Sequence, residues 1–82
     1  MGGRPYPSGM RFFVFMRLTV NGELFDAATP ETISGLLREL EIDSARVAAV
    51  EVNLAIVRKA DFSAFMLKDG DQVEIVNFVG GG

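Results

Sequence analysis

The chain contains no cysteine, no histidine and no tryptophan in its 82 residues. Without cysteine there is no disulfide framework, and an oxidising compartment is not implied. A Cys or Ser–His nucleophilic pair cannot be assembled. A zinc site of the usual Cys/His kind is excluded. General acid–base chemistry would fall to carboxylates, lysine or Tyr6, in a domain with little room for a pocket. Basic residues are also scarce: eight Lys and Arg stand against eleven Asp and Glu, for a net charge of −3 and a pI near 4.7. That balance argues against nucleic acid or an anionic membrane as partner, both of which call for a basic footprint. No apolar run approaches the roughly 20 residues of a membrane span. Arg4 and Arg11 precede Phe12-Phe13-Val14-Phe15, which superficially suggests a secretory signal. The run is too short, and no small-residue cleavage site follows it. The expectation is a cytoplasmic chain with no metal site and no catalysis of its own: a substrate, a carrier or a binding module.

What the chain does have is apolar residues enough for one small core, at 49% of the sequence with seven phenylalanines. The first nine residues are rich in Gly and Pro, so residues 1–15 are expected to be disordered or to prolong the first strand. From Met16, Leu18 and Val20 alternate with Arg17 and Thr19, the two-residue period of a half-buried strand. Asn21-Gly22 then marks a tight hairpin, because a type I′ turn requires positive φ at both positions. A second strand is expected over Glu23 to Ala27, with Leu24 or Phe25 facing inward.

Thr29-Pro30-Glu31 reads as a helix start, with Thr29 as N-cap and Pro30 at the first helical position. Ile33, Leu36, Leu37 and Leu40 follow as one apolar stripe. Gly35 within that helix is expected to permit close packing against the sheet. A third strand spans Val47 to Val52, with Ala48, Val50 and Val52 on one face and Ala49 and Glu51 on the other. Asn53-Leu54 turns the chain into a short strand over Ala55 to Arg58. Lys59 to Leu67 reads as irregular or one helical turn, with Phe62, Phe65 and Leu67 covering the end of the core. Lys68-Asp69-Gly70-Asp71 is a tight turn, and Gln72 to Phe78 is the last strand. The predicted fold is α+β: a mixed sheet of about five strands, with one main helix packed on one face. The first and last strands are the most apolar and are expected at the centre. This is the β-grasp arrangement, as in ubiquitin, with the domain over residues 16–79.

Three glycines follow directly on the last strand: Gly80, Gly81 and Gly82. Glycine has no Cβ and adopts conformations closed to other residues, so residues 80–82 read as a flexible tail able to thread a narrow channel. The α-carboxylate at its tip is the group no side chain obstructs. Beside the tail, Phe78 and Val79, with Ile56, Val57 and Leu54, are candidate docking contacts; ordinary edge packing is the competing reading. Glu51, Asp69, Asp71 and Glu74 could steer a basic partner, or could simply form a solvated acidic face. For Asp69 and Asp71 a turn role explains the residues better than a cation site does.

Several stretches resemble one known family. Met16-Arg-Leu-Thr-Val-Asn-Gly-Glu23, Val50-Glu-Val-Asn53 with Ile56-Val-Arg58, Leu67-Lys-Asp-Gly-Asp-Gln-Val-Glu-Ile-Val76 and Phe78-Val-Gly-Gly-Gly82 are similar to the ThiS family of thiamine-biosynthesis sulfur carriers. The resemblance covers Met16 to Gly82. It implies a cycle centred on Gly82. An E1-like adenylating enzyme of the ThiF type activates its carboxylate with ATP and Mg. A cysteine-derived sulfur donor converts it to a thiocarboxylate, and thiazole synthase of the ThiG type takes the sulfur. No cofactor is then bound by this chain itself. The nearest alternative is the small subunit of molybdopterin synthase, which shares the fold and the glycine end. A ubiquitin-like modifier or a passive interaction domain is the other.

Overall fold

A computed structural model describes residues 15–28 and 31–78. The expected N-terminal segment up to Val14, the Thr29-Pro30 pair and the tail from Val79 to Gly82 lie outside the described residues. Strand β1 (Phe15–Val20) turns through Asn21 and Gly22 into β2 (Glu23–Ala28). Both turn residues have positive φ, 50° and 85°, as the Asn-Gly pair dictates. Helix α1 (Ile33–Glu39) follows, then a 3-10 turn at Ser44–Arg46, β3 (Val47–Val52) and β4 (Ala55–Val57). A second 3-10 turn at Lys59–Asp61 leads through a loop to β5 (Gln72–Asn77).

The five strands form one sheet in the order β2-β1-β5-β3-β4. β1 and β5 are parallel, and the other neighbours are antiparallel. This is the β-grasp topology expected from the sequence, with β1 and β5 inside the sheet. The core forms between one sheet face and α1. Leu18, Val50, Val52, Val73 and Ile75 face Ile33, Leu36 and Leu37, and all are buried. Phe62 and Leu67 close one end.

Three local expectations are corrected by long-range contacts. The helix is capped by Thr32, not Thr29: the Thr32 Oγ1 accepts from the Gly35 N–H at 3.0 Å. Thr32 itself is extended, at φ −93° and ψ 170°, and bridges to Met66 in the Phe62–Leu67 loop. Leu67 N–H donates to Glu31 O, and the first helical amides, Ile33 and Ser34, donate to Phe65 O and Phe62 O. Those loop carbonyls satisfy donors that a helix leaves orphaned at its start. Gly35 does not approach the sheet. A Cβ there would stand 3.1 Å from Glu31 Oε2, so its missing side chain makes room for the Glu31 carboxyl. In β3 the register shifts between Val47 and Ala49 against β5. This bulge buries Val47 and leaves Ala48 exposed, so Ala48 does not share the core face with Val50 and Val52.

The helix ends without glycine. Glu41 takes φ 59°, its N–H bonds Arg38 O, and Ile42 N–H bonds Leu37 O. That is a Schellman motif, and it turns Ile42 back onto the core.

Candidate functional site

The site is the upper end of β5, where the chain leaves the sheet toward the glycines. What positions it lies at the strand's other end. Two turns grip the start of β5 from opposite sides. On the β1 side, Asn21 N–H donates to Val73 O at 2.8 Å. Its side chain then bonds the next main-chain pair: Oδ1 accepts from Ile75 N–H at 2.7 Å, and Nδ2 donates to Ile75 O at 3.4 Å. β1 has already turned away into its hairpin there, so a carboxamide stands in for the missing peptide group. On the β3 side, Asn53 N–H donates to Gln72 O at 2.7 Å, and its Oδ1 accepts from Gln72 N–H at 2.9 Å.

Asp71 completes this anchor. It is only 4% exposed. Oδ1 accepts from Asn53 Nδ2 at 2.9 Å, and Oδ2 accepts from Lys68 N–H at 2.8 Å. Buried carboxylates persist when their lone pairs are met in this way. Asp71 is therefore not available to steer a partner. Asp69 sits in the same turn and accepts from Arg17 N–H at 2.7 Å, as the turn reading had it. No group of three or more potential metal ligands occurs among the described residues.

The sheet face away from α1 divides in two. On the β1–β2 half, Arg17 and Asp26 stand opposite each other. Arg17 Nε and an Nη donate to the two Asp26 oxygens at 2.8 and 3.2 Å, and these bonds hold the Asp26 carboxyl below its ordinary range. On the β3–β5 half, Glu51 and Glu74 stand opposite each other, and neither is in an ion pair among the described residues. Like charges so placed disfavour the sheet. Around them lie Ile56, paired with Glu51, and Val76, paired with Ala49. Ile56 is 69% exposed, and Val76 is also exposed.

Of the predicted docking residues, Phe78 and Ile56 are exposed, Phe78 just after β5 and Ile56 level with Glu51 and Glu74. Phe78 is 61% exposed. Its N–H donates to Arg46 O at 2.9 Å, and Lys59 Nζ lies 5.3 Å from its ring centre, within cation–π reach. Val79, Gly80, Gly81 and Gly82 lie outside the described residues. Val57 does not belong to the surface: it is 7% exposed and packs in the core beside Val50. β4 places Ile56 and Val57 on opposite faces, and the core claims the second. Leu54 is 86% exposed, but it lies in the turn beside the start of β5. The length of that strand, about 16 Å at 3.3 Å per residue, separates it from Phe78. It forms no patch with Phe78. Val76, Lys59 and Arg46 were missed. Alternation from Ile75 would have found Val76; Lys59 and Arg46 reach the tail root only through the pairing of β3 with its neighbours.

The model of the ThiS family matches residues 11–82. The chain is 46% identical over 67 residues to a thiazole synthase of Paramagnetospirillum magneticum, an alignment covering 82% of this chain and 20% of that protein. It is 40% identical over 67 residues to a thiazole synthase of Magnetococcus marinus, again covering 82% of this chain and 20% of the relative. The chain thus spans about a fifth of the length of these two relatives. An uncharacterized protein, ycf40, of Porphyra purpurea is 35% identical over 65 residues, covering 79% of this chain and 90% of that protein. Among solved structures, the thiamine biosynthesis protein ThiS of Geobacter metallireducens superposes with a TM-score of 0.68 at 38% identity. That match covers 82% of this chain and all of the other.

Proposed function

The chain belongs to the ThiS family, and on that premise we propose that it is a sulfur carrier of thiamine biosynthesis, acting as co-substrate of partner enzymes. The observation that carries the proposal is the build of β5. Its start is fixed by two asparagines and a buried aspartate, Phe78 follows its end, and Val79 and three glycines come next in the sequence. An anchored strand followed by glycines suits delivery of the Gly82 carboxyl group into a narrow channel.

Gly82 carries the chemistry in this reading. A carboxylate is a poor electrophile, because its leaving group would be oxide. An E1-like adenylating enzyme of the ThiF type supplies ATP and Mg. A carboxylate oxygen of Gly82 attacks the α-phosphorus, pyrophosphate leaves, and an acyl-adenylate forms. Sulfur derived from cysteine and delivered at the sulfide level attacks the acyl carbon, AMP leaves, and a thiocarboxylate forms. Thiazole synthase of the ThiG type accepts the sulfur. The relatives named thiazole synthase support this last partner, since each holds a region similar to this chain within its own length. Gly80 and Gly81 let the tail enter both enzymes extended. Phe78, Ile56 and Val76 provide apolar docking area, with Glu51 and Glu74 addressing cationic side chains.

The test is intact mass. Incubation with the adenylating enzyme, MgATP and a sulfur donor is expected to raise the mass by the difference between sulfur and oxygen, localised to the C-terminal peptide. Deleting Gly82 draws the carboxylate back by about 3.5 Å. A misplacement of 1 Å can cost about a hundredfold in a positioned displacement, so activation is expected to collapse while the thermal midpoint stays. Full-rate sulfuration of the shortened chain would remove Gly82 from the mechanism.

A further inference from the structure

The two sides of β5 are unequal. On one side β3 accompanies it from Val73 to Asn77. On the other, β1 pairs only at Thr19–Gln72 and Val20–Val73 before its hairpin turns away. The Asn21 side chain extends that side by one main-chain pair, at Ile75. Beyond it, among the described residues, no strand accompanies β5. Main-chain groups of alternate residues point to the same side of a strand. Val73 and Ile75 address the β1 side, and Phe78 addresses β3 through Arg46. Asn77 therefore aims its N–H and C=O at the open side. Among the described residues, a central strand thus presents an open main-chain edge at Asn77.

Two concavities flank this edge. One of about 380 Å³ lies between β2 and the end of α1, with Leu40 and Ile75 in its lining. The other, about 600 Å³, lies under the tail root, with Arg46 and Phe78 in its lining. Ile42 lines both, so together they follow β5 toward the glycines. Their charged rim carries Glu23, Glu41 and Asp43 against the single Arg46.

We infer that this edge is a strand-addition site, which takes an extended segment of the enzyme that activates the tail. The segment pairs its main chain with the open N–H and C=O of Asn77. It sets aliphatic side chains against Ile42 and Phe78 and carries Lys or Arg where it passes the acidic rim. Sheet edges bind peptides in this way, with main-chain bonds for affinity and alternate side chains for selectivity. Continuity with the tail selects this occupant over a remote protein, and the excess of carboxylates selects a basic one. The inference rests on the carrier reading and adds to it a second, main-chain point of attachment, separate from the sheet face of Ile56 and Val76.

Amide hydrogen exchange of the full chain tests it, with and without saturating adenylating enzyme and without ATP. The Asn77 amide is expected to exchange at least tenfold more slowly in the complex, while the Thr19 amide, already bonded to Asp71 O, is unchanged. Asn77→Pro removes that donor and leaves the Phe78–Arg46 bond in place. It is expected to weaken binding of the enzyme by about tenfold without lowering the thermal midpoint by more than a few degrees. An Asn77 amide that stays unprotected in a complex that sulfurates Gly82 on adding ATP and a sulfur donor overturns the inference and leaves the carrier reading standing. Protection that rises with chain concentration in the absence of enzyme assigns the edge to a second copy and overturns it. So does concentration-independent protection in the free chain, which would assign it to residues 1–14. No complex and no mass gain overturns both readings.

Discussion

The two ends of β5 are built from opposite materials. At its start, Asn21, Asn53 and Asp71 place polar side chains on the backbone of Gln72 and Ile75 or on one another, and hydrogen bonds arrive from both sides. At its end, Phe78 is held by one main-chain bond and a lysine lying over its ring, with β1 gone. The first end fixes a direction, and the second keeps exposed surface and, among the described residues, an open main-chain position at Asn77. A strand that delivers something needs both. Orientation at one end is of use only if the other end is not itself consumed by the fold.

Mutation can break this contrast most strongly within the strand itself. Ile75→Ala removes a core side chain next to the Asn21 anchor, and a loss of about 2–5 kcal/mol is expected. Val76→Ala, one residue on and on the outer face, is expected to stay within about 0.5 kcal/mol. Urea midpoints read both, and equal losses would mean that the two faces of β5 are not distinct. Next in size, Asn21→Ala and Asn53→Ala each strand main-chain groups of β5, at about 1–3 kcal/mol. Phe78→Ala is expected to cost less than either in stability, while weakening partner binding more. Smaller still is Leu54→Gly. Leu54 holds φ 74° in the turn that presents Asn53, a conformation that disfavours side chains with a Cβ. A gain of up to about 1 kcal/mol is expected. A loss would show that Leu54 makes contacts its exposure does not suggest.

The smallest effect lies away from both ends and serves as their control. The Glu31 carboxyl, partly buried over Gly35 and close to Glu39, is raised to about 7, first by burial and then by Glu39. Its folded value lies above its ordinary 4.5, so the folded chain keeps a proton that the unfolded chain releases. Stability from this group is full below the ordinary value and is lost as pH rises through about 7. The urea midpoint is therefore expected to fall modestly between pH 5 and pH 8, and Glu31→Gln is expected to flatten that change. Tail activation by the adenylating enzyme should not follow it.

Much of the fold was legible because its signals are local. Asn21-Gly22 can hardly be anything but a tight turn. The spacing of Ile33, Leu36 and Leu37 fixes a buried helix face, and Val73 and Ile75 alternate as an inward strand face must. The Thr32 cap was misread as Thr29, because Thr-Pro-Glu is a good helix start in isolation. It loses to a loop thirty residues on that bonds Glu31 O and bridges to Thr32. In the candidate site, the exposure of Phe78 and Ile56 could be read from their place in the pattern. Val57 and Leu54 could not, since β4 is too short to show which face is buried, and a turn residue carries no mark of the end of the sheet on which it lies.

The sequence by itself determined the strand and helix order, the tight hairpin, the family and the glycines after the last strand. These follow from side-chain periodicity and from residues with special backbone freedom, both set within a few positions. Only the tertiary structure decided that Asn21 would replace a strand, that Asp71 would be buried as part of an anchor, that Ala48 would be bulged out, and that β5 would run on past its pairing with β1. Each of these joins residues far apart in the chain. Such contacts depend on how far one strand slides along another, and that offset is a property of the packed sheet, set when the core side chains of all five strands find the helix together.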